Sequence, residues 1–166
     1  MEESTDRRFE LRVVTPDDWE TWRVIRLEAL AQAPDAFGSR LADWERASEG
    51  RWRERLALRG SHNLVAFIDA WPAGMATGVP DGDAVELISM YVGTSARGTG
   101  VAGALIRTIE DWARERNARR LCLNVRAANA PARRLYERHG LVVVGEADRE
   151  SADDPLELRM CKPLKG

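Results

Sequence analysis

The sequence predicts one α/β domain with the element order β-α-α-β-β-β-α-β-α-β-β, antiparallel at its start and end. Its 166 residues suit a single hydrophobic core and leave little room for a second. The composition, 44% hydrophobic and 31% charged, is typical of a globular chain. Segments with strand-like alternation and segments with helical spacing of apolar residues follow one another along the chain. We therefore treat residues 1–166 as one domain.

The first part of the chain is predicted to form one strand and two helical regions. Phe9 to Val14 alternates as a strand does. A helix is expected from Thr15, a capping residue followed by proline, to about Gln32. A second helical region, weakened in its middle, covers Trp44 and then Glu49 to Leu58.

Three strands are predicted next: Leu64 to Ile68, Met75 to Val79 and Ala84 to Val92. Trp71-Pro72-Ala73-Gly74 is predicted as the tight reversal between the first two, and Pro80 to Asp83 as the turn before the third. The third strand is apolar at more than alternate positions. It is therefore expected to be central and buried on both faces.

The last part of the chain alternates helices and strands. A helix is predicted from Gly100 to about Arg116, and another from Asn129 to His139, where Gly140 is a natural C-terminal cap. The accompanying strands are predicted at Leu121 to Val125, Leu141 to Val144 and Leu156 to Met160, with a turn at Ser151 to Pro155.

Charge and residue usage exclude several classes of protein. The net charge of −2 gives no basic field, so no nucleic-acid partner is expected. No apolar run reaches the roughly 18 residues that span a bilayer, and the acidic N-terminus is unlike a secretory signal, so we expect a cytoplasmic protein without a membrane partner.

Cys122 lies in an apolar run and is predicted to be a core residue. The two cysteines and two histidines lack metal-site spacing, so no metal is expected.

A glycine-rich loop, Arg97 to Gly103, stands between the apolar strand and the next helix. Such a loop places free backbone N–H groups at a helix N-terminus, where the helix dipole favours an anion. Arg97 can add a charged donor. One interpretation is a phosphate or pyrophosphate site. The other is a tight turn that lets helix and sheet pack closely.

Two other phosphate-binding motifs compare poorly with this loop. A Walker loop needs Gly-Lys-Ser/Thr, and the chain contains no such triplet. Gly98 to Gly103 does satisfy G-x-G-x-x-G, but a dinucleotide-binding unit would place an acidic residue at the end of the next strand. Here that strand ends in Asn124-Val125-Arg126, and the motif lies in the middle of the chain. The dinucleotide interpretation is therefore disfavoured.

The loop resembles the R/Q-x-x-G-x-G/A motif of the GNAT family of N-acetyltransferases. Three further segments resemble the same family: Glu86 to Val92, Asn129 to Leu141 and Glu157 to Met160. The second of them matches N-x-x-A-x-x-L-Y-x-x-x-G-F, with Leu141 in place of Phe. The resemblance covers nearly the whole chain. It implies a central mixed, mostly antiparallel sheet of about seven strands flanked by about four helices, and acetyl-CoA as cosubstrate.

The resemblance also implies which residues bind acetyl-CoA. Backbone groups of Met90, Tyr91 and Val92 would pair with the pantetheine arm as an added strand. The loop's N–H groups would bind the pyrophosphate, namely those of Arg97, Gly98, Thr99, Gly100, Val101, Ala102 and Gly103. Asn129 would bond the pantetheine or nearby backbone, although it also stands where an ordinary helix N-cap would. Ala132 and Tyr136 are expected to contact the cosubstrate from the same helix.

The implied mechanism is direct transfer in a ternary complex, without an acyl-enzyme. Tyr136 lies at the family's tyrosine position and is predicted to be the general acid that protonates the departing sulfur. Packing between helix and sheet is its alternative role. Glu86, an acid in an apolar strand, is predicted to be the base, and a solvent-facing carboxylate is its alternative. The Met90 N–H is placed to stabilise the oxyanion.

The acceptor is expected to be a primary amine, with a small-molecule amine favoured and a protein or peptide amine as the alternative. A non-catalytic acyl-CoA-binding domain is a further alternative. In the family, the acceptor lies between two segments, here Phe37 to Arg40 with Trp44, and Asp148 to Asp154. The acidic second segment would attract a cationic amine, but an exposed polar turn explains it as well. The protein is expected to be a monomer or a homodimer.

Overall fold

The computed structural model describes residues 8–37 and 39–164, and shows a seven-stranded sheet with helices on both faces. The strands are β1 (Phe9–Val14), β2 (His62–Ile68), β3 (Trp71–Asp81), β4 (Ala84–Val92), β5 (Arg120–Arg126), β6 (Val142–Glu146) and β7 (Glu157–Pro163). The helices are α1 (Trp19–Gln32), α2 (Leu41–Trp44), α3 (Glu49–Leu56), α4 (Val101–Glu115) and α5 (Ala130–Arg138). The predicted mixed α/β fold is confirmed.

The sheet is antiparallel except at one place near its centre. The strand order is β1-β2-β3-β4-β5-β7-β6, and β4 and β5 are the parallel neighbours. These two strands are paired only from Ala84 with Arg120 to Glu86 with Cys122. Each continues beyond that point, β4 to Val92 and β5 to Arg126, without pairing to the other. The sheet therefore opens between β4 and β5 on the C-terminal side of Glu86.

Each face of the sheet carries its own hydrophobic core. On one face, α4 is amphipathic and buries Leu105, Ile106 and Ile109, which pack with residues of the strands and with Tyr136 of α5. We call this cluster the α4-side core. On the other face, Trp22 of α1 and Trp52 of α3 are fully buried and pack on β2 and β3. The two cores hold α4 and α5 on one face of the sheet and α1 and α3 on the opposite face, so that the opening has helices on both faces.

Two turn predictions need correction. Trp71 to Gly74 is part of β3, and the chain reverses instead at Asp69 and Ala70, whose φ angles are 51° and 64°. Two positive φ angles are what a two-residue hairpin turn requires, and alanine does not signal such a turn. β3 also runs on through Pro80 to Asp81, so the following turn is shorter than predicted.

Cys122 lies in the core, as predicted, and it is also paired. It is fully buried on β5, directly opposite Cys161 on β7, with a Cα–Cα distance of 4.1 Å, and the two form a disulfide. Nothing in the sequence indicates this bond, because the cysteines are 39 residues apart and meet only through the β5–β7 register. The bond ties β5, which borders the opening, to β7.

A packing prediction tests how closely α4 lies on the sheet. A Cβ at Gly78 of β3 would lie 2.9 Å from the Trp112 ring and 3.2 Å from Ile109. Gly78→Ala should therefore lower the free energy of unfolding by about 1–3 kcal/mol, measured by urea denaturation. Gly145→Ala in β6, where nothing lies within 4 Å, is the matched control and should have no such cost. Equal stability of the two variants would contradict the tight α4 packing.

Candidate active site

A cavity of about 400 Å³ lies at the opening between β4 and β5. Residues 86–90 of β4 line one side and residues 123–126 of β5 line the other. Tyr136 reaches it from the α5 face of the sheet, and Arg26 and Arg55 reach it from the α1 and α3 face. Because the strands separate here, one cavity is accessible to groups on both faces of the sheet.

The edge of β4 that faces the opening offers free backbone groups. The Gly93 N–H donates to the Ala73 carbonyl of β3 at 2.8 Å, and Tyr91 lies opposite Met75 of the same strand. Backbone groups alternate between the two edges of a strand. Those of Met90 and Val92 are therefore directed toward the opening, and those of Tyr91 toward β3. Three residues are predicted to pair with a pantetheine arm. Met90 and Val92 are placed to do so, whereas the backbone groups of Tyr91 face β3.

A bulge in β4 lies beside these groups. The β3–β4 register shifts between Met75 and Thr77, and Ser89 has a φ of 53°. A bulge redirects side chains and interrupts pairing locally. Here it brings the Ser89 hydroxyl within hydrogen-bond distance of Arg55, which donates to it at 3.0 Å.

The glycine-rich loop ends in a left-handed residue at the N-terminus of α4. Gly100 is the N-cap with a φ of 91°, and Gly98 has a φ of 76°. The first N–H groups of a helix have no partner within it, so those of Val101, Ala102 and Gly103 are free to bind an anion. The Arg97 and Thr99 N–H groups instead donate to the Thr94 and Ala96 carbonyls within the loop.

Asn129 is a helix cap in the structure. Its side-chain oxygen accepts a hydrogen bond from the Ala132 N–H at 3.3 Å, which satisfies one of the unpaired groups at the start of α5. Both residues also line the cavity. The cap uses the amide oxygen and leaves the NH₂ group available to a ligand.

Tyr136 is a buried tyrosine at the cavity. It is 8% exposed and packs in the α4-side core, while it also lines the opening. Burial raises the pKa of its phenol to about 12, so the hydroxyl is protonated at every pH at which the protein would be assayed. None of the side-chain hydrogen bonds found among residues 8–37 and 39–164 involves this hydroxyl, so packing holds the protonated phenol at the cavity.

Glu86 is the last residue of β4 that pairs with β5, and its carboxylate binds Arg159 of β7. Arg159 Nη1 donates to Oε2 at 3.1 Å, and Nη2 donates to Oε1. The Asn124 side chain accepts a further bond from Arg159 at 3.1 Å. The hydrogen bonds that Arg159 donates to the Glu86 carboxylate raise the pKa of the Arg159 guanidinium. The predicted base is therefore held at the start of the opening by an arginine that engages both of its oxygens.

Three arginines at the cavity were absent from the predicted site: Arg26, Arg55 and Arg126. Burial lowers the pKa of Arg26 to about 10, and burial together with the Arg26 charge lowers that of Arg55 to about 10. Arg126 donates to the Phe37 carbonyl at 3.4 Å. A signal was present for Arg26, which lies one turn after Trp22 on the buried face of α1.

The structure separates the two segments predicted to bind the acceptor. Phe37, Ser39 and Trp44 line the cavity, whereas Gly38 lies outside the described residues. None of residues 148–154 lines it. The first segment is thus placed to contact an acceptor. The acidic second segment is an exposed turn between β6 and β7.

Metal clusters and membrane-spanning helices are both absent from the part of the chain that the structure describes. No group of three or more His, Cys, Asp or Glu side chains is placed to hold a metal ion there. No helix in that part is both long enough and apolar enough to cross a membrane.

A sheet that opens beside an anion-binding helix N-terminus and a buried tyrosine is the arrangement expected of the N-acetyltransferases that the motifs resemble. Comparison with known families identifies the family. The model of the Acetyltransferase (GNAT) family matches residues 19–141, which is more than half of the chain. The chain belongs to the GNAT acetyltransferase family. No match was found among curated protein sequences.

Solved structures of similar fold agree with this assignment. A GNAT-family acetyltransferase from Streptococcus pneumoniae matches with a TM-score of 0.78 and 20% identity, over 95% of this chain and 100% of that one. A ribosomal-protein-alanine N-acetyltransferase from Brucella melitensis matches with a TM-score of 0.73 and 26% identity, over 93% and 99%. The PaiA N-acetyltransferase from Thermoplasma acidophilum, solved with coenzyme A, matches with a TM-score of 0.73 and 18% identity, over 94% and 99%.

Proposed function

We propose that the protein transfers the acetyl group of acetyl-CoA directly to the amine of a small molecule. The observation that carries this proposal is the cavity at the β4–β5 opening, which Tyr136 reaches from one face of the sheet and Arg26 and Arg55 from the other. A volume of about 400 Å³ is that of a small-molecule site.

The residues at the opening suit an acyl-CoA. The free N–H groups of Val101, Ala102 and Gly103 form an anion site for a pyrophosphate. The Met90 and Val92 backbone groups offer the strand edge that an extended pantetheine arm requires. The acetyl thioester supplies an electrophilic carbonyl and a thiolate leaving group.

Three groups of the protein take part in the transfer. The Tyr136 hydroxyl donates a hydrogen bond, and finally a proton, to the leaving sulfur, and the second proton that the nitrogen loses as the amide forms returns to the tyrosine oxygen, directly or through water. The Met90 N–H, on the open edge of β4, stabilises the negative charge that develops on the carbonyl oxygen. Glu86 accepts the proton that the attacking ammonium must lose, directly or through water. No covalent attachment to the protein is required.

An assay of CoA-thiol release with a panel of amines and peptides tests the proposal, next to calorimetric titration with acetyl-CoA. Release that depends on a small amine would support it. Binding of acetyl-CoA without release for any amine or peptide would instead identify a non-catalytic acyl-CoA-binding domain.

A peptide acceptor is the second candidate. It is favoured by the fold shared with the Brucella melitensis ribosomal-protein-alanine N-acetyltransferase at 26% identity. If it is correct, peptides with free N-termini should give a far higher kcat/KM than free amines in the same panel.

A glycine prediction tests the proposed pyrophosphate site. Gly100→Ala places a Cβ on a residue with a φ of 91°, which costs about 1–2 kcal/mol and shifts the N–H groups at the start of α4. Acetyl-CoA affinity should fall about tenfold by calorimetry, which corresponds to about 1.4 kcal/mol. Gly82→Ala, at a φ of 60° in the β3–β4 turn, introduces similar strain away from the site and should leave affinity unchanged. Equal affinities would rule out this loop as the site.

A further inference from the structure

Arg26 is a buried cation at the cavity. It is 7% exposed, yet it lines the cavity at the β4–β5 opening. Among residues 8–37 and 39–164, its Nη1, which solvent does not reach, has no hydrogen-bond partner. No carboxylate of those residues lies within ion-pair distance of its guanidinium. Its guanidinium lies 4.9 Å from the centre of the Phe37 ring, which leaves the guanidinium edge for polar contacts.

Arg55 adds a second positive charge beside the first. All three groups that it bonds are neutral: the side-chain oxygens of Asn63, Thr77 and Ser89, at 3.0–3.1 Å. Thr77 and Asn63 also bond each other at 2.8 Å, so the arginine is held in one position. The mutual repulsion of the two guanidiniums is one cause of the lowered pKa of Arg55.

The carboxylates at the cavity do not neutralise this pair. Glu86 is already engaged at both oxygens by Arg159. Glu157 lies opposite Arg126 in the β5–β7 register, on the far side of the opening from α1. A buried charge that lacks a partner is unfavourable for folding. A ligand that brings a negative charge would remove that cost in the complex.

We infer that the acceptor amine carries a carboxylate, as an α-amino acid does, and that Arg26 binds this carboxylate while Arg55 adds to the positive field. The inference rests on the proposed acetyl transfer and assigns its substrate class. A guanidinium edge matches the two oxygens of a carboxylate. The amine of the same molecule can then lie near the strand opening, where Glu86 and Met90 are found.

The test compares amino acids with their carboxamides, which differ in little but the charge. Wild-type kcat/KM should be at least about 100-fold higher for the acids, because the carboxamide leaves Arg26 unpaired. Arg26→Met should lower kcat/KM for the acids about 100-fold and leave the amides unaffected. Arg26→Lys should restore part of the loss. Arg23→Met, on the same helix but outside the cavity lining, is the matched control and should behave as wild type.

Three results would overturn the inference: equal use of acids and amides, preference for an aminoalkylphosphonate, or a lower Tm in Arg26→Met. A lower Tm would show that Arg26 stabilises the fold. If Arg26 instead serves only to bind a ligand, its removal should leave Tm unchanged or raise it. If the wild type acetylates no amine, the proposed function fails. Calorimetric titration of an amino acid and its amide into the wild type and Arg26→Met then decides the carboxylate site independently, because only wild type with the acid should bind.

Discussion

Tyr136→Phe is expected to lower kcat about 10²–10⁴-fold and to leave the Kd for acetyl-CoA nearly unchanged. The substitution removes one oxygen and keeps the ring that packs in the α4-side core. None of the side-chain hydrogen bonds found in the described part of the chain involves this hydroxyl, so its loss leaves no side chain there unpaired. The effect should therefore appear in the transfer step and not in stability.

The pH dependence of the wild type provides a second check on Tyr136. A general acid is active in its protonated form, and burial raises the pKa of this phenol to about 12. The acid form is therefore fully present up to about pH 11 and is lost only above that. A kcat profile that falls between pH 8 and 10 would have to come from another group.

Steady-state kinetics, calorimetry and thermal unfolding of Tyr136→Phe separate the possible roles. Thr108→Val is the control for the loss of a hydroxyl elsewhere. The Thr108 hydroxyl donates to the Ala104 carbonyl within α4. An unchanged kcat in Tyr136→Phe would remove Tyr136 as the acid. A lowered Tm together with the lowered kcat would instead indicate that the hydroxyl supports the fold.

Features set by local chemistry were predictable from the sequence. The glycines of the loop before α4 and the Asn129 cap are short-range signals, and the structure has a loop and a cap at those positions. The element order followed from hydrophobic periodicity, and β4 was recognised as central because it is apolar beyond simple alternation.

Features set by long-range pairing were not predictable in this way. The Cys122–Cys161 bond depends on the β5–β7 register, and the Glu86–Arg159 pair depends on a side chain that reaches across β5 from β7. The turn at Asp69 and Ala70 was missed because alanine rarely adopts a positive φ. Arg26 is the exception, because its place in the cavity could have been predicted from the sequence. It lies on the buried face of α1, where an arginine is rare unless it has a partner.

Glu86→Gln is expected to lower kcat about 10²-fold or more. Glutamine keeps the size of the side chain but cannot act as a base. It also offers an NH₂ group to Arg159 where the carboxylate offered an oxygen. The rate loss alone would therefore not distinguish a base from a residue that positions Arg159.

The partner variant separates these two roles. Arg159→Gln removes the guanidinium and leaves the Glu86 carboxylate in the cavity. If Glu86 is the base, Arg159→Gln should keep more of the wild-type kcat than Glu86→Gln does, because the group that accepts the proton is still present. If Glu86 only holds Arg159 in place, the two variants should lower kcat equally.

Arg120→Gln is the matched control for this experiment. Arg120, the first residue of β5, pairs at 2.9 Å with Asp83 in the turn before β4, where both side chains are 53% exposed. Its loss removes an ion pair and leaves Glu86 and Arg159 in place, so kcat should stay near the wild-type value. A larger loss of kcat in Glu86→Gln than in Arg159→Gln, with Arg120→Gln near wild type, would support Glu86 as the proton acceptor. Equal losses in Glu86→Gln and Arg159→Gln would place the base elsewhere and leave Glu86 as a residue that positions Arg159.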